Sequence, residues 1–197
     1  MPRVVDHDRR RVEIIEAACR TIARTGWDSA TMAVIAAEAG YANGALKPYF
    51  STKDDLLAAA FDHICVQTSR RMTAATVGKH GLAALRAYCR EILPLNDTTQ
   101  QEARIVVPFW HKALTTAHLA ARHEHAIREW RTHLQGLLTE ARDADQVRTP
   151  IPDTDIVGHL LTALLGAQIT ATLMPNLETA HTLTTQLDSF LDLLTHP

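Results

Sequence analysis

Thr31-Met32-Ala33-Val34-Ile35-Ala36-Ala37-Glu38-Ala39-Gly40, continued by Gly44-Ala45-Leu46-Lys47-Pro48-Tyr49-Phe50-Ser51-Thr52-Lys53-Asp54-Asp55-Leu56-Leu57, decides how the first quarter of the chain folds. Thr31 stands just before an apolar run, where its hydroxyl can satisfy free amides at a helix start, and Gly40 lies where a short helix would stop. Ala42 to Tyr49 has the length of a second short helix. Ser51 to Asp55 then offers hydroxyl caps and first-turn acids before Leu56, Leu57, Ala60, Phe61 and Ile64 resume helical spacing, which predicts a long helix to about Thr76. Upstream, Arg11 to Ala23 places Val12, Ile15, Cys19, Ile22 and Ala23 at three-and-four spacing, with Gly26 as its stop. Two short helices packed on a longer first one make a helix-turn-helix, whose second helix fits the DNA major groove.

These residues resemble the DNA-binding signature of the tetracycline-repressor (TetR) family over roughly residues 10–57, including the core Gly-x-Leu-x-x-Tyr-Phe-x-x-Lys-x-x-Leu that begins at Gly44. The resemblance implies a homodimeric, ligand-responsive repressor that releases operator DNA when a small molecule binds. It divides the chain into a head, residues 1–55, and an effector-binding and dimerisation body, residues 56–197. It also implies that Thr31, Tyr49 and Lys53 meet the phosphate backbone, setting affinity and register rather than sequence preference. Asn43, Ala45 and Lys47 lie on the exposed face of the second short helix, where Lys47 can donate to guanine and Ala45 can touch a thymine methyl. Ala42 stands where the family often has a serine, and Pro48 replaces a commonly basic or aromatic residue. Lys53 could equally be a solvated charge, Tyr49 mainly packing, and Arg9-Arg10-Arg11 either a basic arm or a solvated terminus.

Nothing in the remainder reads as strand, so the expected fold class is all-α, with nine helices and no internal repeat. Helices are expected over Gly81 to Leu93 and over Gln101 to Leu114, the latter kinked at Pro108, then from about His118 to Arg142. After the Pro150-Ile151-Pro152 break, Asp153 caps a helix reaching Met174, and a last one starts near Thr179. The final two helices are rich in apolar positions, and Leu160, Leu164, Leu187 and Leu191 are candidates for a symmetric interface as well as for the chain's own core. Tyr88, Phe109, Trp110, Trp130 and Gln168 are candidates to line an effector cavity between helices of the body, and equally candidates for ordinary core.

Composition is that of a folded globular protein: 46% hydrophobic and 21% charged residues, with a net charge of −2. Residues 1–55 carry eight Lys/Arg against eight Asp/Glu, so any positive face there must be local. The apolar stretch Ile156 to Met174 is interrupted by Gly158, His159, Thr162 and Gln168, which argues against a membrane span, and no apolar leader follows Met1; the default location is cytoplasmic. Cys19, Cys65 and Cys89 form no Cys-x-x-Cys pair and read as reduced apolar side chains. His111, His118, His125 and His133 recur at seven or eight residues, a rise of about 10 Å, too far for one ion with ligand bonds of about 2 Å. No metal or cofactor is expected. Phosphate-binding, dinucleotide-binding, nucleophile-elbow and His-Glu-x-x-His motifs are lacking, which argues against an enzyme. The remaining rival is a helical protein-interaction adaptor with a degenerate helix-turn-helix, and direct DNA binding separates the two readings.

Overall fold

Asp6 accepts a hydrogen bond from the Arg9 amide at 3.0 Å and so opens α1 (His7–Thr25) four residues before its apolar periodicity begins. The computed structural model describes residues 6–42 and 44–196, and these form eight helices and no strand. α2 spans Met32–Glu38, α3 Lys53–Thr76, α4 Gly81–Ile92, α5 Asp97–Ala113, α6 Ala117–Asp143, α7 Asp153–Leu173 and α8 Ala180–Leu193. The all-α reading holds and the count of nine does not.

The missing helix is Ala42 to Tyr49. Its described residues form consecutive turns, with Ala45 N–H donating to Ala42 O, Lys47 to Gly44 O and Tyr49 to Leu46 O, each three residues back. Gly44 adopts φ +93°, outside any right-handed helix, and Pro48 has no amide to donate within the segment. The segment is nevertheless anchored, because Leu46 and Phe50 are buried.

Other boundaries follow from caps that periodicity does not reveal. α5 begins at Asp97 because Asn96 and Thr99 exchange side-chain and amide hydrogen bonds at 3.1 Å, and the helix runs through Pro108. Arg9, Arg10 and Arg11 lie within α1 rather than on an arm: Arg9 pairs with Glu13 at 3.4 Å, while Arg10 and Arg11 lie over the rings of Tyr41 and Phe50. The turn after α2 closes with Gly40 N–H to Ala37 O and Tyr41 N–H to Ala36 O, the paired bonds of a left-handed glycine C-cap at φ +76°.

Two apolar cores result. The first joins α1, α2 and the turn segment (Ile14, Ile22, Ile35, Leu46, Phe50) to α3, α5 and α6 (Leu57, Phe61, Phe109, Leu119), so the head rests on the body through continuous packing. The second joins α4, the far half of α6, α7 and α8. Leu160, Leu164, Leu187 and Leu191 are at most 7% exposed and belong to this second core within one chain. By length and composition alone α7, with mean hydropathy 1.6, would pass for a membrane span, contrary to the expectation that its polar residues make it too polar. Its Ile156, Leu160, Leu161 and Leu164 are core residues, and buried Gln168 hydrogen-bonds the Ile92 carbonyl.

Glu38 fastens α2 to α1, accepting from Arg24 Nη2 at 2.9 Å and Arg20 Nε at 3.1 Å. These bonds, Arg24's first, hold its carboxyl below the usual 4.5. A depressed folded-state pKa gives stability that is present above the unfolded value and lost as pH falls through the folded one. Glu38→Gln should therefore lower the thermal midpoint at pH 7 and bring its curve toward wild type below pH 4.5. Circular-dichroism melts between pH 3 and 7 check this; parallel curves for the two proteins would refute it.

Candidate functional site

The head presents one exposed polar edge. Thr31 caps α2, its hydroxyl accepting from Val34 N–H at 3.3 Å, and stays exposed. Ala42, Ala45 and Lys47 are exposed on the turn segment whose other side, Leu46 and Phe50, fills the core. Asn43 lies outside the described residues. Tyr49 is half-buried, its ring 5.0 Å from that of His7 at the start of α1, a neighbour that residue spacing does not reveal. Lys53 is turned inward: its ammonium donates to the carbonyls of Trp27 and Asp28 and sits 4.1 Å from the Trp27 ring centre. Burial pushes its pKa down. In this conformation Lys53 holds the turn after α1 at least as much as it faces solvent.

A second site lies in the body. α3, α5, α6 and α7 enclose a chamber of about 40 Å³, walled by Phe61, Cys65, Glu102, Trp110, Trp130 and Gln168 among others. That is room for a few waters. Of the five side chains expected to line a cavity, Trp110, Trp130 and Gln168 do so. Phe109 does not: it is fully buried and stacked on Phe61, ring centres 3.8 Å apart. Tyr88 faces a separate open groove on the other side of Trp130, with His133 6.0 Å away.

Three helices supply the lining at one-turn intervals, Phe61-Cys65-Thr68 on α3, Glu102-Val106-Trp110 on α5 and His123-Ile127-Trp130 on α6. Glu102, His123, Phe61 and Cys65 were missed by sequence reasoning, although the spacing from Trp110 back to Glu102 and from Trp130 back to His123 carries the signal.

The electrostatics of this chamber are lopsided. Arg71 donates to both Glu102 oxygens, at 2.8 and 2.7 Å, and its Nε lies 3.3 Å from Glu91. One guanidinium against two carboxylates leaves the cluster net negative, with Glu102 in the chamber lining and Glu91 outside it. No Lys or Arg lines the space, and burial pushes the His123 pKa down, so at pH 7 the imidazole is neutral. Trp110 Nε1 donates to its Nδ1 at 3.2 Å. Such a lining of indoles, a phenyl ring and a carboxylate suits an organic cation. Cys65 has its pKa pushed up to about 12 by burial and is a thiol there.

Two ion pairs connect this region to the head-bearing helix. Lys112, two residues past Trp110, pairs with Asp54 at 3.2 Å, and Arg122, beside His123, pairs with Asp62. Both acids lie on α3, whose first residue is Lys53.

Residues 14–60 match the bacterial regulatory proteins of the tetR family, and residues 82–196 match the C-terminal domain of BetI-type transcriptional repressors. Among curated proteins, the HTH-type transcriptional regulator PksA of Bacillus subtilis is 35% identical over 112 residues, covering 55% of this chain and 54% of its own. The HTH-type transcriptional regulator BetI of Burkholderia mallei is 32% identical over 120 residues, covering 58% and 60%. The chain thus spans little more than half the length of these curated relatives. A solved transcriptional regulator from Saccharomonospora viridis, in complex with choline, superposes with a TM-score of 0.86 over 94% of this chain and 96% of its own at 18% identity, a likeness of fold.

Proposed function

The chain belongs to the TetR family, with a BetI-type body, and from that premise we propose that it is a cytoplasmic, homodimeric repressor that releases its operator when a small organic cation enters the body. The observation that carries the effector class is the chamber between α3, α5, α6 and α7, with aromatic walls and a lining carboxylate, Glu102, that belongs to the net-negative Arg71–Glu91–Glu102 cluster. Choline, held by the regulator from Saccharomonospora viridis, has this chemistry. Quaternary ammonium groups are recognised by aromatic faces, worth about 2 kcal/mol or more each when desolvated.

For DNA, Ala42, Asn43, Ala45 and Lys47 are proposed to meet base edges, with Thr31, Tyr49 and Lys53 on phosphates. A dimer gives two such heads the spacing of operator half-sites. α7 supports it, because Ala163, Ile169 and Leu173 remain exposed on a helix that is apolar nearly all round, and an apolar groove of about 310 Å³ runs between α7 and α8. Coupling is reciprocal: whatever factor the cation takes from operator affinity, operator takes from cation affinity.

The test is a titration of DNA from upstream of the chain's own gene, and of a randomised pool, at several salt concentrations with and without choline. Lys47→Ala should weaken the preferred sequence by about 1–3 kcal/mol and relax its selectivity. Lys53→Ala should weaken all sequences alike. Because Lys53 also braces the Trp27–Asp28 carbonyls, that variant should melt earlier than Lys47→Ala. Failure against the randomised pool would sink the repressor reading and leave the protein-interaction adaptor.

A further inference from the structure

A chamber of about 40 Å³ has room for only a few waters, so seating a choline-sized cation in it calls for a side chain to move. Across α6 from it lies an open groove of about 540 Å³ between α3, α4 and α6, lined by Ser69, Thr73, Tyr88, Glu129 and His133. Among the described residues only Trp130 lines both spaces. Its indole is half-buried, and it is the wall between them. The chamber's other indole is pinned, Trp110 Nε1 to His123 Nδ1 at 3.2 Å, whereas among the described residues no hydrogen bond fixes Trp130. Of the two, Trp130 is the one that can swing.

We infer that Trp130 is a gate: an organic cation reaches the chamber from the groove between α3, α4 and α6 when this indole swings aside, and the indole then sets the largest cation that fits. The ligand class rests on the effector reading above; the gate itself does not. Glu129, exposed at the groove, supplies a negative charge on the way in, and the hydroxyls of Ser69 and Thr73 replace water around an incoming ammonium group. Once inside, the cation lies between Trp110, Phe61 and the Glu102 carboxylate, and the Trp130 ring closes over it. Removing the ring merges chamber and groove, which speeds exchange and abolishes selection by size.

Cys65 on the chamber wall is a built-in reporter of access, and Cys89 in the second core is its control. Burial pushes both thiols up to about 12, so each is labelled slowly while it stays covered, and uncovering either one raises its rate. The probe is 2-(trimethylammonium)ethyl methanethiosulfonate, whose sulfur the Cys65 thiolate attacks to give a mixed disulfide and expel methanesulfinate. Labelling of the full-length protein is followed cysteine by cysteine by peptide mass spectrometry.

Trp130→Ala should accelerate labelling of Cys65 relative to Cys89 by about tenfold or more, and Trp130→Phe by an intermediate factor. Leu165→Ala, on the α7 side of the chamber, should leave the ratio within about twofold of wild type. An unchanged ratio in both Trp130 variants overturns the gate, and so does equal acceleration by Leu165→Ala. In calorimetry, wild type should take up tetramethylammonium and refuse tetrabutylammonium, and Trp130→Ala should take up both. If neither protein binds either cation while the Cys65 ratio rises, the effector class is wrong and the gate stands.

Discussion

Phe109→Ala is expected to lower the free energy of unfolding by about 3–5 kcal/mol, the range for truncating a fully buried phenylalanine. Phe109 has no exposed surface, and its ring lies 3.8 Å from that of Phe61 with 3° between the planes. The loss includes that stacking as well as the cavity left behind. The pair sits where α5 meets α3, in the core that also holds Ile22, Leu46 and Phe50, so the damage extends into the head. Urea unfolding checks it, and a chain of this size should lose roughly 2–4 °C of midpoint per kcal/mol. Trp110→Ala, one residue along on the half-buried chamber wall, should cost less stability and act mainly on ligand binding. A loss below about 1 kcal/mol for Phe109→Ala would mean that the Phe61–Phe109 contact is not a fixed part of the core.

That contrast between neighbours explains what was legible in the sequence. Helical spacing says which residues face inward, and it located the eight helices among the described residues but also predicted one at Ala42 to Tyr49 that does not form. There Gly44 and Pro48 override the periodicity through backbone geometry rather than hydrophobicity, although both were in plain view. Inward-facing is not the same as lining a cavity. Phe109 and Trp110 are consecutive on α5, and only the placement of α3 and α6 decides that the first fills space and the second borders it. Tyr88 lines a different space for the same reason, with Trp130 bordering both that space and the chamber. The interface leucines were ambiguous in sequence, and contacts among α4, α6, α7 and α8 turn them inward. Glu102 was overlooked because a lone acid on a helix face is normally solvated; its meaning comes from Arg71, 31 residues away and already shared with Glu91. Lys53 taught the converse, since a lysine in the family position can spend its donors on the protein's own carbonyls.

Glu102→Gln is the substitution expected to separate sensing from DNA binding. The amide keeps the shape and one acceptor for Arg71 but removes the charge, so the Arg71–Glu91–Glu102 cluster passes from net negative to neutral. A cation in the chamber has few other anions to meet: among the described residues Glu102 is the only acid lining it, and its side chain is 17% exposed. Removing one partner of such a desolvated charge pair costs about 2–5 kcal/mol. Choline affinity should therefore fall about a hundredfold, equivalent to about 2.7 kcal/mol. Operator affinity without ligand should change little, because Glu102 is on α5 and not on the turn segment 44–49 that faces DNA. The choline concentration needed to release DNA should rise by the same factor as the dissociation constant, as linkage requires when the coupling itself is untouched. Calorimetry with choline and operator titrations on the same preparation decide it. If Glu102→Gln binds choline as well as wild type while Trp110→Ala does not, the cation is held by aromatic faces alone and the carboxylate serves only to anchor Arg71. If neither variant affects choline binding, the ligand site is elsewhere in the body.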